Sequence, residues 1–176
     1  MTEIAALRFE SFDFNHHTIF VDSTLQYDKL TNRFFLDTTK TGEVRLVHAP
    51  KTLMKELHAY IEQKKKKLDK LGDKFNPLLD DKEQPIYFVF SKDNVFPNYP
   101  DRMSNQWRDI VRRHNLPAIS FHGLRHSYAS FMLAKGVNIK IIQEQLGHTN
   151  IRETLNTYSH VTMAQKEKAS DLFENL

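Results

Sequence analysis

A chain of 176 residues, 40% hydrophobic and 27% charged, holds enough apolar material for one ordinary globular domain. It lacks the run of about 18 apolar residues that a membrane helix needs. The absence of cysteine excludes disulfides and thiolate metal sites, and a net charge of +3 permits nucleic-acid binding without demanding it.

Taken in order, the chain opens on a short helical piece, Glu3–Leu7. Its abrupt start at Met1, without a cap, leads us to expect an N-terminally truncated chain. Asn15-His16-His17 marks a turn. Thr18–Leu25, Arg33–Thr39 and Val44–Ala49 are rich in β-branched and aromatic residues and read as a three-stranded antiparallel sheet, with Val44, Leu46 and His48 on one side of the pleat. Between the last two strands, Lys40-Thr41-Gly42-Glu43 forms a tight connection in which Gly42 can take positive φ.

Pro50 opens a helix to about Leu71 with an apolar stripe of Leu53, Leu57, Tyr60 and Ile61, continued by Lys64–Lys67 as a solvated basic face. Gly72–Gln84 is a loop, Ile86–Phe90 a short buried extended piece, and Asp93–Asp101 irregular. Ser104 is expected to cap a helix, Asn105–His114, that turns Trp107, Ile110 and Val111 inward. No repeat or low-complexity linker divides the chain. The fold class expected is α+β, mostly helical, with a small antiparallel sheet near the N-terminus, in a single domain over residues 1–176.

The chemistry concentrates in Phe121–Tyr158. A first helix, His122–Lys135, ends at Gly136. At 100° per residue it puts Leu124, Tyr128 and Phe131 on one face and His122, Arg125, His126 and Ala129 on the other. Three potential cations in a first turn oppose the helix dipole, so a bound anion would suit them, with small Ala129 leaving room beside it. A second helix, Asn138–Leu146, carries Ile139, Ile142 and Leu146 on one stripe and stops at Gly147, directly before His148. A third begins at Asn150 with Glu153 in a capping-box position and carries Tyr158.

The H-x-L-R-H run at His122–His126, the L-G-H at Leu146–His148 and the tyrosine ten residues later resemble the tyrosine recombinase (phage integrase) family. So does Thr39-Lys40-Thr41, which is similar to that family's catalytic lysine turn. Met1–Phe12 matches its opening helix, with Glu3 at the acidic position. The resemblance implies a catalytic domain that breaks and rejoins DNA. Tyr158 would be the nucleophile, giving a 3′-phosphotyrosyl intermediate. Arg125 and His148 would hold the phosphate oxygens, His122 would position the phosphate or accept the tyrosine proton, and Lys40 would protonate the leaving 5′-oxygen. Glu3 would be an orienting group. The resemblance further implies no metal or other cofactor, double-stranded DNA attachment sites and other integrase protomers in a tetramer as partners, and the cytoplasm of a bacterial or phage-infected cell. Thr162–Leu176 would pack either on a neighbouring protomer or on its own core. The family's first catalytic arginine lies three residues before the position of Glu3, upstream of Met1, and the DNA-clamping domain would precede it.

Three rivals stand beside this reading. Zinc hydrolysis would need glutamate after the first histidine, where Gly123 stands. A DNA-binding fragment with little or no cleavage activity would follow from lacking one arginine, since losing a single transition-state partner costs about 100- to 1000-fold. A type IB topoisomerase would share the chemistry but relax supercoils without strand exchange.

Overall fold

The structure is a computed structural model that describes residues 1–39, 42 and 44–147. It comprises two compact units, residues 1–109 and 110–176. Among the described residues no helix is long and apolar enough to cross a membrane.

The first unit begins with α1, Thr2–Ala6, whose Ala5 and Ala6 are small enough to bury against the sheet strand Ser23–Asp28. A 3₁₀ turn at Phe9–Ser11 leads into β1, Phe12–Asp13. Asp13 then builds the turn that follows. Its carboxylate accepts from the Asn15 and His16 amides at 2.9 and 3.0 Å and from His16 Nδ1 at 2.6 Å. These donors hold the Asp13 carboxyl below the usual carboxylate range, the His16 side chain contributing most.

The chain from Thr18 to Asp28 is two strands, not one. β2, Thr18–Val21, lies between β1 and β5, Arg45–His48, in an antiparallel sheet of order β1-β2-β5, with Ile19 opposite Val47 and Phe20 opposite Leu46. β3, Ser23–Asp28, and β4, Arg33–Thr38, form a separate hairpin in which Leu25 faces Leu36. The three-stranded sheet is therefore present, but β1 takes the place expected for β4. The break falls at Asp22, whose carboxylate accepts from the Arg8 guanidinium and from Ser23 Oγ. Those bonds tie Asp22 outside either ladder, and the chain changes partners there.

α2, Lys51–Leu68, follows Pro50. Its inward stripe is Met54, Leu57, Ile61, Lys64 and Leu68, at helical spacing, whereas Leu53 and Tyr60 of the expected stripe are exposed. Lys64 also departs from the expected solvated basic face. Its Nζ donates to the Val89 carbonyl at 2.8 Å, the Ser91 carbonyl at 3.2 Å and Ser91 Oγ at 2.7 Å. Burial pushes this ammonium down to about 8. Lys65, Lys66 and Lys67 are exposed as expected.

Residues 72–84 contain a 3₁₀ turn and β6, Leu78–Leu79, which pairs with β7, Pro85–Ile86. The next residues close the core, as their apolar run suggests. Phe9 N–H donates to the Tyr87 carbonyl at 3.0 Å, Val89 N–H donates to the Leu7 carbonyl at 2.8 Å, and Phe88 and Val89 are buried. Two apolar clusters result, one around Leu25, Phe34 and Phe88 and one around Phe12, Met54, Ile61 and Val89.

α3, Pro100–Arg113, starts earlier than the expected cap at Ser104, which sits inside the helix. Proline suits a first helical position because the missing N–H is one the helix leaves unused. Trp107 and Val111 are half-buried as expected, but Ile110 is exposed. In the second unit, α4, Phe121–Ala134, and α5, Ile139–Leu146, pack through Ala129, Leu133 and Ile142. Asn138 caps α5 by accepting from the Lys140 amide at 2.8 Å. The helix proposed from Asn150 and the segment Thr162–Leu176 lie outside the described residues.

Candidate active site

Ser120 starts α4 by accepting from the Gly123 amide at 3.0 Å, so His122, Arg125 and His126 occupy its first two turns. A Cβ on Gly123 would lie 2.6 Å from Ile119 Cγ1, which accounts for glycine inside the H-x-L-R-H run. His122 is exposed and His126 half-buried, their rings edge to face with centroids 4.4 Å apart.

Arg125 points to the α5 side of its helix. Its Nη2 donates to the carbonyl of Leu146, the last residue of α5. That carbonyl belongs to the negatively polarised end of the helix, which lacks intrahelical donors. The guanidinium charge opposed by α4's own dipole is thereby offset by that of α5. Gly147 then turns left-handed at φ 64°, a conformation costly for residues with a Cβ. Arg125 is thus anchored to the residue two before His148 in the chain, and the H-x-L-R-H run meets the end of α5, 21 residues away, through this hydrogen bond.

Ala129 does not leave space for an anion. It is 0% exposed and packs with Leu133 and Ile142, because it is on the same side of α4 as Arg125 and that side faces α5. The small residue lets the two helices approach. The apolar residues Leu124, Tyr128 and Phe131 are on the exposed side.

Glu3 has a partner that the sequence reading missed. Arg45 Nη1 and Nη2 donate to Glu3 Oε1 and Oε2, both at 2.8 Å, in a bidentate pair. This fastens α1 to the first residue of β5, just after the connection that carries Lys40. The turn there is closed by Gly42 N–H donating to the Thr39 carbonyl at 2.8 Å, with Gly42 at φ 67° as expected. The signal for Arg45 was its alternation with Val44 and Leu46. Those two and His48 do share a side, and it is the exposed one, leaving Arg45 and Val47 inward.

Of the proposed site residues, Glu3, His122 and Arg125 are described, Glu3 in the first unit and the other two in the second. Lys40, His148 and Tyr158 lie outside the described residues. Among the described residues, no group of three His, Asp or Glu side chains is placed to hold a metal ion.

The model of the phage integrase family matches residues 1–165. The chain belongs to that family. It is 27% identical over 99% of its length to a XerC-like tyrosine recombinase of Caldanaerobacter subterraneus subsp. tengcongensis, covering 45% of that protein. It is 42% identical over 58% of its length to a tyrosine recombinase of Thermosipho africanus, covering 37% of it. The chain therefore spans less than half the length of these relatives. Among solved structures, the Tn1549 transposon integrase in complex with transposon right-end DNA shares the fold. Its TM-score is 0.75 at 23% identity, covering 96% of this chain and 54% of that one.

Proposed function

We propose that this integrase-family chain is the catalytic domain of a site-specific tyrosine recombinase that integrates or excises a mobile element. The observation that carries the reading is the family match across residues 1–165, which takes in every proposed catalytic residue. In the reaction the Tyr158 phenol oxygen attacks a backbone phosphorus while the bond to the 5′-oxygen breaks. The DNA is left joined through a 3′-phosphotyrosine, with a free 5′-hydroxyl. His122 accepts the phenol proton or positions the phosphate, and Lys40 gives a proton to the departing oxygen. Arg125, with its planar fork, and His148 neutralise the non-bridging oxygens as charge builds on them. Rejoining is the reverse step with a 5′-hydroxyl from another strand, so the bond energy is conserved and no cofactor is consumed.

The Arg125 bond to Leu146 supports this role, because a guanidinium already oriented loses less freedom on clamping an oxyanion. Glu3 is proposed as an orienting residue that acts through Arg45 on the strand beside the lysine turn. The partners proposed are duplex attachment sites and further protomers in a tetramer, in a cytoplasmic setting.

The test is recombination in cells carrying the two ends of the protein's own element on a plasmid, with junction DNA read by sequencing. Junctions are expected with the native full-length protein and are expected to vanish with Tyr158→Phe. Junctions at undiminished level with Tyr158→Phe would refute the reading.

A further inference from the structure

We propose that a basic recess at the start of α2 is a docking point for a phosphodiester group of duplex DNA, separate from the residues of the catalytic proposal. The recess has a volume of about 200 Å³ and is lined by Phe14, His17, Lys51, Met54, Lys55 and His58. Four of these six side chains are Lys or His, and no carboxylate lines it.

The lining is fixed in place. The Ala49 amide donates to the His17 carbonyl at 3.0 Å, holding the turn against the helix entry. His17 keeps a left-handed φ of 55°, rare for a residue with a side chain. The Phe14 ring stands edge-on to His58 with centroids 4.6 Å apart, and Met54, 2% exposed, forms the floor.

Among the described residues, no ion pair neutralises Lys51 or Lys55. Lys51 and Lys55 are neighbours at i and i+4, a like-charge pair that disfavours the helix. No acidic residue stands in the first turn of α2. An anion between them removes the repulsion. The choice of DNA as its source rests on the recombinase reading. β5 ends at His48, three residues before α2 begins at Lys51, so the recess belongs to the same unit as Glu3 and Arg45.

The test uses the 176-residue chain and a fluorescent 20-base-pair duplex, with anisotropy measured across a salt series for the native chain and the Lys51→Ala/Lys55→Ala variant. The imidazole NMR signals of His17 and His58 in the native chain are followed with duplex and, separately, with inorganic phosphate. Loss of one phosphate contact should lower the slope of log affinity against log salt by about 0.9. Both histidine signals should move with duplex. An unchanged slope, or histidines that do not respond to duplex, overturns the proposal. Histidines that respond to inorganic phosphate alone show an adventitious ion only and also overturn it. A reduced slope from a chain whose full-length form makes no Tyr158 adduct would uphold the docking point and refute the recombinase reading alone.

Discussion

At Lys64 a residue type that usually seeks water is spent inside the fold. Its three acceptors sit on the segment that closes the core, so the side chain ties α2 to residues 89–91. Removing the donor leaves carbonyls partly buried without a partner, at about 1–3 kcal/mol. Lys64→Met is therefore expected to lower the urea midpoint at pH 7, whereas Lys66→Met, on the exposed side, is expected to change it by less than about 0.5 kcal/mol. The pH dependence has a definite sign. The folded value of about 8 lies below the ordinary lysine value of 10.5, so between them the unfolded chain binds more protons and stability rises with pH. The midpoint difference between native and Lys64→Met proteins should shift in favour of the native protein from pH 8 to 10.5. The Glu3–Arg45 pair is the second such case. Glu3→Gln keeps the shape but removes the charge from a bidentate pair, and a loss of about 1–3 kcal/mol is expected in denaturant unfolding.

Helices α4 and α5 show which parts of an element can be read from its letters. Asn138, Gly136 and Gly147 mark ends correctly because caps and left-handed stops are local chemistry, whereas the cap at Ser120 starts α4 one residue earlier than the expected His122. Faces are harder. On α4 the larger apolar residues Leu124, Tyr128 and Phe131 are exposed, while Ala129 is buried beside Arg125, because packing on α5 selects a small residue and a cation with a carbonyl to meet. On the segment through β5, Val44, Leu46 and His48 share one side of the pleat as expected, but alternation alone does not say which side is inward; Glu3, 42 residues away from Arg45, decides it. Hydrophobic periodicity carries no information about a distant partner. If Ala129 sets the approach of α4 to α5, Ala129→Leu should cost about 1–3 kcal/mol by overpacking. Phe131→Ala on the exposed side should cost far less, both read by thermal unfolding.

At the scale of the whole molecule, the motifs carried the family assignment further than the fold details. H-x-L-R-H, L-G-H and the lysine turn are spaced along the chain, and the family model spans them all. What could not be read from spacing is how those pieces are held. The Arg125 bond to Leu146 and the Glu3 bond to Arg45 each join residues far apart in sequence. On the proposed mechanism, Arg125→Lys keeps the charge but loses the fork. It should reduce DNA cleavage about 100- to 1000-fold in single-turnover assays while leaving duplex affinity within a few-fold. The central claim is that Tyr158 attacks DNA, and it is tested most directly by incubating the full-length protein with a nicked duplex from its element end. The covalent product is digested with nuclease and protease, and the modified peptide is mapped by mass spectrometry. The account predicts a nucleotide attached through phosphate to Tyr158 and no adduct in Tyr158→Phe. Cleavage without an adduct, or an adduct on another residue, would contradict it.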